Sequence, residues 1–326
     1  VSATNQKRWS WATVVDVRDE AKGVRAITLR YESLVPRPDP GSHIDVRVPI
    51  RERIDTRSYS VVRRSDRHPA TLTIAVQLAD RSRGGSAYMH TLETGARLAI
   101  TQPLNNFSYA GSRRPVRLLA GGIGITALFA MARQAAMENA DYTLTYVGRE
   151  PARLAFLEEL ETLHGHRFQD HLDDRDGRFD VEAWVSACPA DAMAYMCGPL
   201  RLMEAVRASW ATQGRDSRDL RFETFGASGR HPSQSFTVKL PTQGVEIEVP
   251  ADQSILDTLE SAGFDMMYDC RKGECGLCQV KVLDQRGGLD HRDVFFSAEQ
   301  HTEGRLLCTC VTRAFGEGAS VTLELP

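Results

Sequence analysis

Cys270-Arg-Lys-Gly-Glu-Cys275-Gly-Leu-Cys278, followed after 29 intervening residues by Cys308, is the stretch on which the reading of this chain turns. The spacing C-x4-C-x2-C…C is that of four thiolates on one [2Fe–2S] cluster. Two irons need two protein sulfurs each, so a short loop supplies three and a returning strand brings the fourth. Gly273 and Gly276 let the loop curl and turn backbone N–H groups towards a dianionic cluster, where a Cβ would obstruct. A zinc site or two disulfides are the competing readings. Zinc usually takes paired C-x2-C units, and the second half offers only Cys308-Thr-Cys310. The expected ligands are Cys270, Cys275, Cys278 and Cys308, with Cys310 and Cys188 structural or spare.

Composition bounds the rest. A chain of 326 residues, 42% hydrophobic and 25% charged with net charge −3, is long enough for two or three ordinary globular domains. So balanced a charge gives no reason to expect nucleic-acid binding. The longest apolar run, near Ile123–Ala132, is too short to span a bilayer. No apolar segment follows a basic one at the start, so no secretory signal is expected. Seven cysteines, four of them assigned to a cluster, suit a reducing compartment better than a disulfide framework. The expectation is a soluble, cytoplasmic, multidomain protein.

From Trp11 to about Phe107, short alternating tracts read as strands: Thr13–Val17, Ala26–Arg30, His43–Val48, Arg57–Val62 and Thr71–Gln77. Five or six strands without long helices between them predict a small antiparallel barrel. The loop Asp80-Arg-Ser-Arg-Gly-Gly-Ser86 opens a predicted helix at Ala87–Leu92. Gly84, Gly85 and Ser86 before a helix start can cradle a phosphate on free N–H groups, and Arg81 and Arg83 would add charge-assisted bonds. A solvated basic loop is the plainer alternative. Arg57-Ser58-Tyr59-Ser60 reads as an edge strand with an outward arginine, yet it also resembles the R-x-Y-S flavin motif of the ferredoxin reductase superfamily. That resemblance implies Arg57 on the flavin phosphate, Tyr59 against the ring or ribityl chain, and Ser60 near flavin N5.

After Arg114 the pattern changes to alternating strand and helix. Val116–Ala120 leads through Gly121-Gly122-Ile-Gly124-Ile-Thr126 into a helix ending near Asn139. Tyr142–Val147 and Ala194–Cys197 are strands, and Leu154–Leu163 and Leu200–Ala211 are helices. This order predicts a parallel sheet covered by helices. Glycines at a strand-to-helix turn let a pyrophosphate approach the helix N-terminus. The Gly-Gly-x-Gly-Ile-Thr run resembles the nucleotide motif of the same superfamily. Cys197-Gly198-Pro199 follows a strand and precedes a helix. By resemblance it lies beside the nicotinamide, whereas a plain reading makes Cys197 a core thiol. Phe222-Glu223-Thr224-Phe225 closes this part. The resemblance implies that Phe225 covers the flavin and that Glu223, near Ser60, steers protons to N5. Gly148-Arg149-Glu150 after the second strand offers both an acid for a ribose 2′-OH and an arginine for a 2′-phosphate.

Gly226–Ser235 is Gly- and Ser-rich and reads as a linker. Beyond it, Ser235–Leu240 and Val245–Val249 form a predicted hairpin. Ser254 caps a helix at Ile255–Ala262, the cysteine loop follows, and strands at Gln279–Leu283 and Val321–Glu324 complete a β-grasp order. The histidines are scattered, and no metal is assigned to them. No two-His-one-carboxylate site and no Rieske pattern is legible. Asp269, Glu274 and the Arg271–Lys272 pair flank the cysteine loop and are candidates for steering a partner.

With four motifs in this order, the whole chain resembles the phthalate dioxygenase reductase family. The fold class expected is multidomain, α+β and α/β: an FMN-binding barrel over 1–110, an NAD(H)-binding parallel-sheet domain over 111–226, a linker at 227–235 and a ferredoxin domain over 236–326. The resemblance implies FMN, because the ferredoxin module is C-terminal, and NADH as donor. It implies electron flow from NADH through FMN and the cluster to the Rieske component of an aromatic-ring dioxygenase or O-demethylase, and a monomer. Reductases for a cytochrome P450 or for free flavin or ferric iron, and a non-enzymatic carrier, are the alternatives.

Overall fold

The structure is a computed structural model that describes residues 7–50, 53–79, 84–111, 113–225 and 229–326. Its contacts divide the chain into two units, one ending at Glu223 and the other spanning Thr224–Pro326. The first unit opens with strands β1 (Trp9–Ala21), β2 (Val24–Tyr31), β3 (His43–Ile50), β4 (Arg53–Arg64), β5 (Thr71–Gln77) and β6 (Arg97–Thr101). They close a barrel in the order β1-β2-β5-β4-β3-β6, with every neighbouring pair antiparallel. Closure leaves no sheet edge, and Val14, Ile27, Leu29, Ile44, Val46 and Ile100 fill the interior. Strand β1 outruns the expected Thr13–Val17 because it carries irregularities at Val14/Asp16 and Asp19/Ala21. Bulges of this kind let one long strand bend with the barrel wall.

A second sheet follows in the same unit: β7 (Val116–Gly121), β8 (Tyr142–Gly148), β9 (Phe168–Leu172), β10 (Met193–Cys197) and β11 (Leu220–Glu223). All its pairs are parallel, in the order β11-β10-β7-β8-β9. The chain steps outward from β7 to β8 and β9, then returns to lay β10 on the other side. The switch point therefore falls between β7 and β10, where ligands bind in open α/β sheets. The helix expected over Leu154–Leu163 is shorter, Leu157–His164, because Phe156 takes a left-handed φ of 62° before it. In that conformation Phe156 packs at 5.3 Å on Phe129 of the helix Ile125–Met137.

The barrel and this sheet are one packed unit, so no break in packing falls near residue 110. Val62 and Ala75 of the barrel share a buried cluster with Phe129 and Phe156. Arg63 lies 5.1 and 5.2 Å from those two ring centroids and reaches Glu159 at 2.7 Å.

The second unit contains β12 (Phe236–Leu240), β13 (Val245–Val249), β14 (Gln279–Asp290), β15 (Leu306–Cys308) and β16 (Arg313–Glu324). The sheet order is β13-β12-β16-β14-β15, parallel only between β12 and β16. The helix Ile255–Ser261 is started by a capping box between Ser254 and Asp257 and buries Ile255, Leu256 and Leu259. This is the β-grasp arrangement expected. The described part of the expected linker is bound to this unit. Arg230 donates its N–H to Asp290 at 3.0 Å, and His231 stacks on Phe315 at 3.6 Å. Among the described residues no helix is long and apolar enough to cross a membrane.

One buried histidine in the first unit makes stability depend on pH. His164 Nδ1 lies 2.7 Å from the Tyr142 hydroxyl, and burial holds its pKa below the usual histidine value. Below about pH 6.5 the unfolded chain binds a proton that the folded chain refuses, so stability falls as pH falls. The melting temperature should drop between about pH 6.5 and 5.5, by no more than about 1.4 kcal/mol per pH unit of equivalent stability. The drop should shrink in His164→Gln. An identical pH profile in that variant would assign the effect to another group.

Candidate functional site

In the barrel, Arg57, Ser58, Tyr59 and Ser60 stand on β4 opposite Val46, Asp45, Ile44 and His43 of β3. The alternation of a strand sends Arg57 and Tyr59 to one face and the two serines to the other. Ser58 donates to Asp45 at 2.6 Å, and Lys7 pairs with the same carboxylate at 2.9 Å. Burial opposes the charge on Asp45, but the bonds from Ser58 and Lys7 outweigh it and hold the carboxyl below its usual range. Burial also pushes the Tyr59 phenol up, so it stays neutral. Arg57 pairs with Asp55 at 2.7 Å. Its side chain crosses the position that a Cβ on Gly85 would take, with Nε 2.9 Å and Cγ 3.0 Å away. Gly84, at φ 102°, turns the chain into the helix Gly85–His90. A guanidinium laid on a bare glycine at a helix start fits an anionic group. Ser86 Oγ accepts the Ala79 N–H at 3.2 Å. Arg81 and Arg83 lie outside the described residues.

The nucleotide turn sits at the switch point. A Cβ on Gly124 would meet the Cys197 carbonyl oxygen at 2.1 Å, and one on Gly121 would meet Pro199 Cδ at 2.7 Å. Gly198 in turn stands against Gly121, whose Cα would lie 3.0 Å from its Cβ. Three glycines thus let two strand ends touch backbone to backbone. Gly122, at φ 54°, has open space where its side chain would be. This is the cradle a pyrophosphate needs. Thr126 donates to the Ile123 carbonyl at 2.9 Å and closes the turn. Arg149 is exposed, while Glu150 is bonded by Arg153 at 2.7 Å. That bond holds the Glu150 carboxyl below its usual range.

The two halves of the first unit meet at Glu223. Strand register sets Cys197 beside Ala120 on one side and Glu223 on the other. Glu223 is 1% exposed, and its Oε2 lies 3.5 Å from Ser60 Oγ across 163 residues of sequence. Ser60, Cys197 and Glu223 are thereby brought together. Phe225, the fourth residue expected to act with them, falls past the sheet in the second unit and is 38% exposed.

In the second unit the cysteine loop is held in shape by its own residues. The N–H groups of Lys272 and Glu274 point at Cys270 Sγ from 3.4 and 3.3 Å. Gly273 and Gly276 have φ of 76° and 71°. Side chains there would strike Asp293 and Val311 in the first case and the Phe295 ring in the second. Arg271 also has a positive φ, 52°, a conformation that costs about 1–3 kcal/mol in a non-glycine residue. Ion pairs to Asp257 at 2.7 Å and Glu260 at 2.6 Å hold it there, with Tyr268 beneath its guanidinium at 4.0 Å. Glu274 accepts the Thr224 N–H at 2.6 Å, and Lys272 is buried. Of the charges expected to steer a partner, three are therefore engaged in the fold, and only Asp269 is exposed.

The later cysteines gather on Cys278. Cys308 ends β15 and pairs with Gln279, the residue after Cys278. Cys310 Sγ lies 3.2 Å from Cys278 Sγ. Hydrogen bonding with Cys308, and then with Cys310, holds the Cys278 thiol well below its usual range. Both Cys308 and Cys310 therefore border Cys278. Sulfurs gathered in a cradle that side chains would fill, with N–H groups aimed at them, fit a [2Fe–2S] group.

Known proteins bear on the same segments. Residues 118–208 match the family described as "Oxidoreductase NAD-binding domain", and residues 238–315 that described as "2Fe-2S iron-sulfur cluster binding domain". Over 319 residues the chain is 36% identical to the putative toluene-4-sulfonate monooxygenase system reductase subunit of Comamonas testosteroni, covering 93% of this chain and 96% of that one. The solved phthalate dioxygenase reductase superposes with a TM-score of 0.77 at 29% identity, over 97% of this chain and 98% of that one.

The chain belongs to the phthalate dioxygenase reductase family.

Phthalate dioxygenase reductase is described as a modular structure for electron transfer from pyridine nucleotides to [2Fe–2S]. A type IV self-sufficient cytochrome P450 monooxygenase is also similar, with a TM-score of 0.67 and 32% identity over 97% of this chain, but this chain spans only 41% of that protein. The phthalate dioxygenase reductase fold thus also occurs fused within a longer oxygenase. In this member of the family, Gly124→Ala should cost about 1–3 kcal/mol of stability, because the added methyl has no room against the Cys197 carbonyl. NADH binding should weaken with it. A variant that melts like its parent would mean that the turn can open without cost.

Proposed function

We propose that this chain is the NADH-dependent reductase of an oxygenase system, taking a hydride from NADH and delivering single electrons to an external oxygenase. One observation carries the reading: a nucleotide turn at a sheet switch point and a thiol cradle occur in the same chain. A two-electron donor and a one-electron acceptor need a converter between them, and FMN, when bound, supplies that conversion. Arg57, Gly84, Gly85 and Ser86, with Arg81 and Arg83, would hold its phosphate. Tyr59 would pack on the ring system, and by family resemblance Phe225 would be its cover. The Ser60 hydroxyl would stand near N5, and Glu223, whose Oε2 accepts from it at 3.5 Å, would be the acidic group that steers protons there. Gly121, Gly122, Gly124, Thr126, Gly198 and Pro199 seat the pyridine nucleotide, with Cys197 beside the nicotinamide. Glu150, kept ionised by Arg153, favours a ribose 2′-OH over a 2′-phosphate and so NADH over NADPH. Cys270, Cys275, Cys278 and Cys308 ligate the cluster, supported by the N–H groups aimed at Cys270 and by the pairing of Cys308 with Gln279 beside Cys278.

The acceptor is the Rieske component of a ring dioxygenase or O-demethylase, and the reductase works as a cytoplasmic monomer. Among the described residues no two cysteines form a disulfide, which suits a reducing compartment. The likeness to a self-sufficient P450 favours a second reading, in which the acceptor is a haem oxygenase.

Anaerobic titration with NADH, after acid release and identification of the flavin, tests the wiring. FMN released, flavin bleached and a rhombic EPR signal from the reduced cluster are expected. FAD in the extract, or an oxidised cluster beside reduced flavin, would refute it. Cys308→Ser should abolish the EPR signal while Cys310→Ser retains it, and the reverse would make Cys310 the ligand. Glu223→Gln should slow NADH oxidation by about 100-fold or more at full cluster content. Unchanged turnover would remove Glu223 from the proton path. Reduction of a purified Rieske oxygenase, compared with a P450 under the same conditions, decides the acceptor.

A further inference from the structure

We propose that His291, Asp293 and His301 form a binding site for one divalent cation of the zinc class, separate from the cysteine cradle. No sequence motif announces it, since the three residues belong to different local structures. Strand β14 ends at Asp290, and the chain turns through His291, Arg292 and Asp293. His301 comes from the helix Ala298–Glu303, whose start is fixed by a capping box between Ser297 and Gln300. Folding brings one donor atom from each residue to within 4.8 Å of the others.

Hydrogen bonding within the group leaves it incomplete. His301 Nε2 lies 3.0 Å from Asp293 Oδ2, which also accepts the Phe296 N–H at 3.0 Å. His291 Nδ1 stands 3.8 Å from Asp293 Oδ1, beyond hydrogen-bond reach, although its side chain is only 7% exposed. Both ring nitrogens of His291 and the Oδ1 of Asp293 are buried without a partner. Orphans of this kind destabilise the fold unless something pairs with them. Arg292 does not relieve them, because it is bonded to Asp290 at 2.8 Å and to the His231 carbonyl at 3.1 Å. The Asp293 carboxylate, 0% exposed, is thus buried with no Lys or Arg paired to it among the described residues.

A dication resolves all of this together. One carboxylate and two neutral imidazoles are a usual donor set for zinc, with a position left for water. Two donors about 2.0–2.1 Å from one zinc at a tetrahedral angle stand about 3.3–3.4 Å apart. The two nitrogen–oxygen separations here, 3.0 Å from His301 to Oδ2 and 3.8 Å from His291 to Oδ1, lie on either side of that value, each on its own carboxylate oxygen. The imidazole rings lie 4.5 Å apart and within 18° of parallel, so neither blocks the other's nitrogen. Asp293 also backs onto the cysteine loop. Val294 donates its N–H to the Gly273 carbonyl at 2.9 Å, and a Cβ on Gly273 would lie 2.7 Å from Asp293 Cα. An ion here pins the segment from His291 to His301 against that loop.

The test uses the full chain with its cluster loaded, equilibrated anaerobically with zinc chloride, desalted, and assayed for zinc and iron by mass spectrometry. The expected result is one zinc retained per chain at unchanged iron content and visible spectrum, with a melting temperature that rises with zinc concentration. His301→Ala should lower zinc affinity by at least about tenfold and remove that rise. His301 is partly exposed on a helix where alanine is well tolerated, and an unchanged cluster spectrum would certify its fold. Equal zinc retention by parent and His301→Ala would overturn the proposal. So would zinc that enters only as iron leaves, since that zinc would occupy the cysteines.

Discussion

The first unit depends on a contact that admits no side chain. Where β7 and β10 end, the backbone of Gly124 lies against the Cys197 carbonyl, and Gly121 lies against Gly198. Two parallel strands can converge so closely only if neither carries a Cβ at the point of approach. The convergence sets the helix Ile125–Met137 over the sheet, leaves Gly122 open, and fixes Cys197 between Ala120 and Glu223. Glu223 is then carried to the barrel wall and to Ser60. A nucleotide cradle and a buried acid next to a flavin-motif serine are consequences of the same packing.

That dependence explains why barrel and sheet fold as one unit. Arg63 on β4 places its guanidinium over two aromatic rings of the sheet layer and pairs with Glu159. Cation–π contacts of this kind are worth about 0.5–2 kcal/mol each. More important, they fix the angle at which β4 presents Ser60. Any slippage between the barrel and the sheet would part Ser60 from Glu223, so the interface is part of the site.

Much of this was legible in the sequence. Alternating tracts marked most barrel strands, and the β-then-α rhythm marked the parallel sheet. Gly-Gly-x-Gly-Ile-Thr and Cys197-Gly198-Pro199 fell at the strand ends that folding brings together. What was missed has physical causes. β9 carries apolar side chains only at Phe168 and Leu172, so an edge strand looked like loop. The start of the helix before His164 was misplaced because Phe156 adopts a left-handed conformation that its residue type does not advertise. The return of Cys310 to 3.2 Å from Cys278 is set by the turn after β15, which spacing does not encode. The meeting of His291 with His301 depends on a turn and a short helix folding back, and neither leaves a periodic trace.

Arg271 carries a last consequence. It adopts a conformation normally left to glycine and is held there by Asp257 and Glu260 of the helix Ile255–Ser261. The curl of the cysteine loop is thus wired to a helix whose Ile255 and Leu259 are built into the β-grasp core. Ordering the loop takes conformational entropy, and this wiring places that cost in the folding of the polypeptide rather than in metal capture. Part of the loop's curl is therefore set by the polypeptide's own ion pairs, and correspondingly less ordering is left for the cluster to drive.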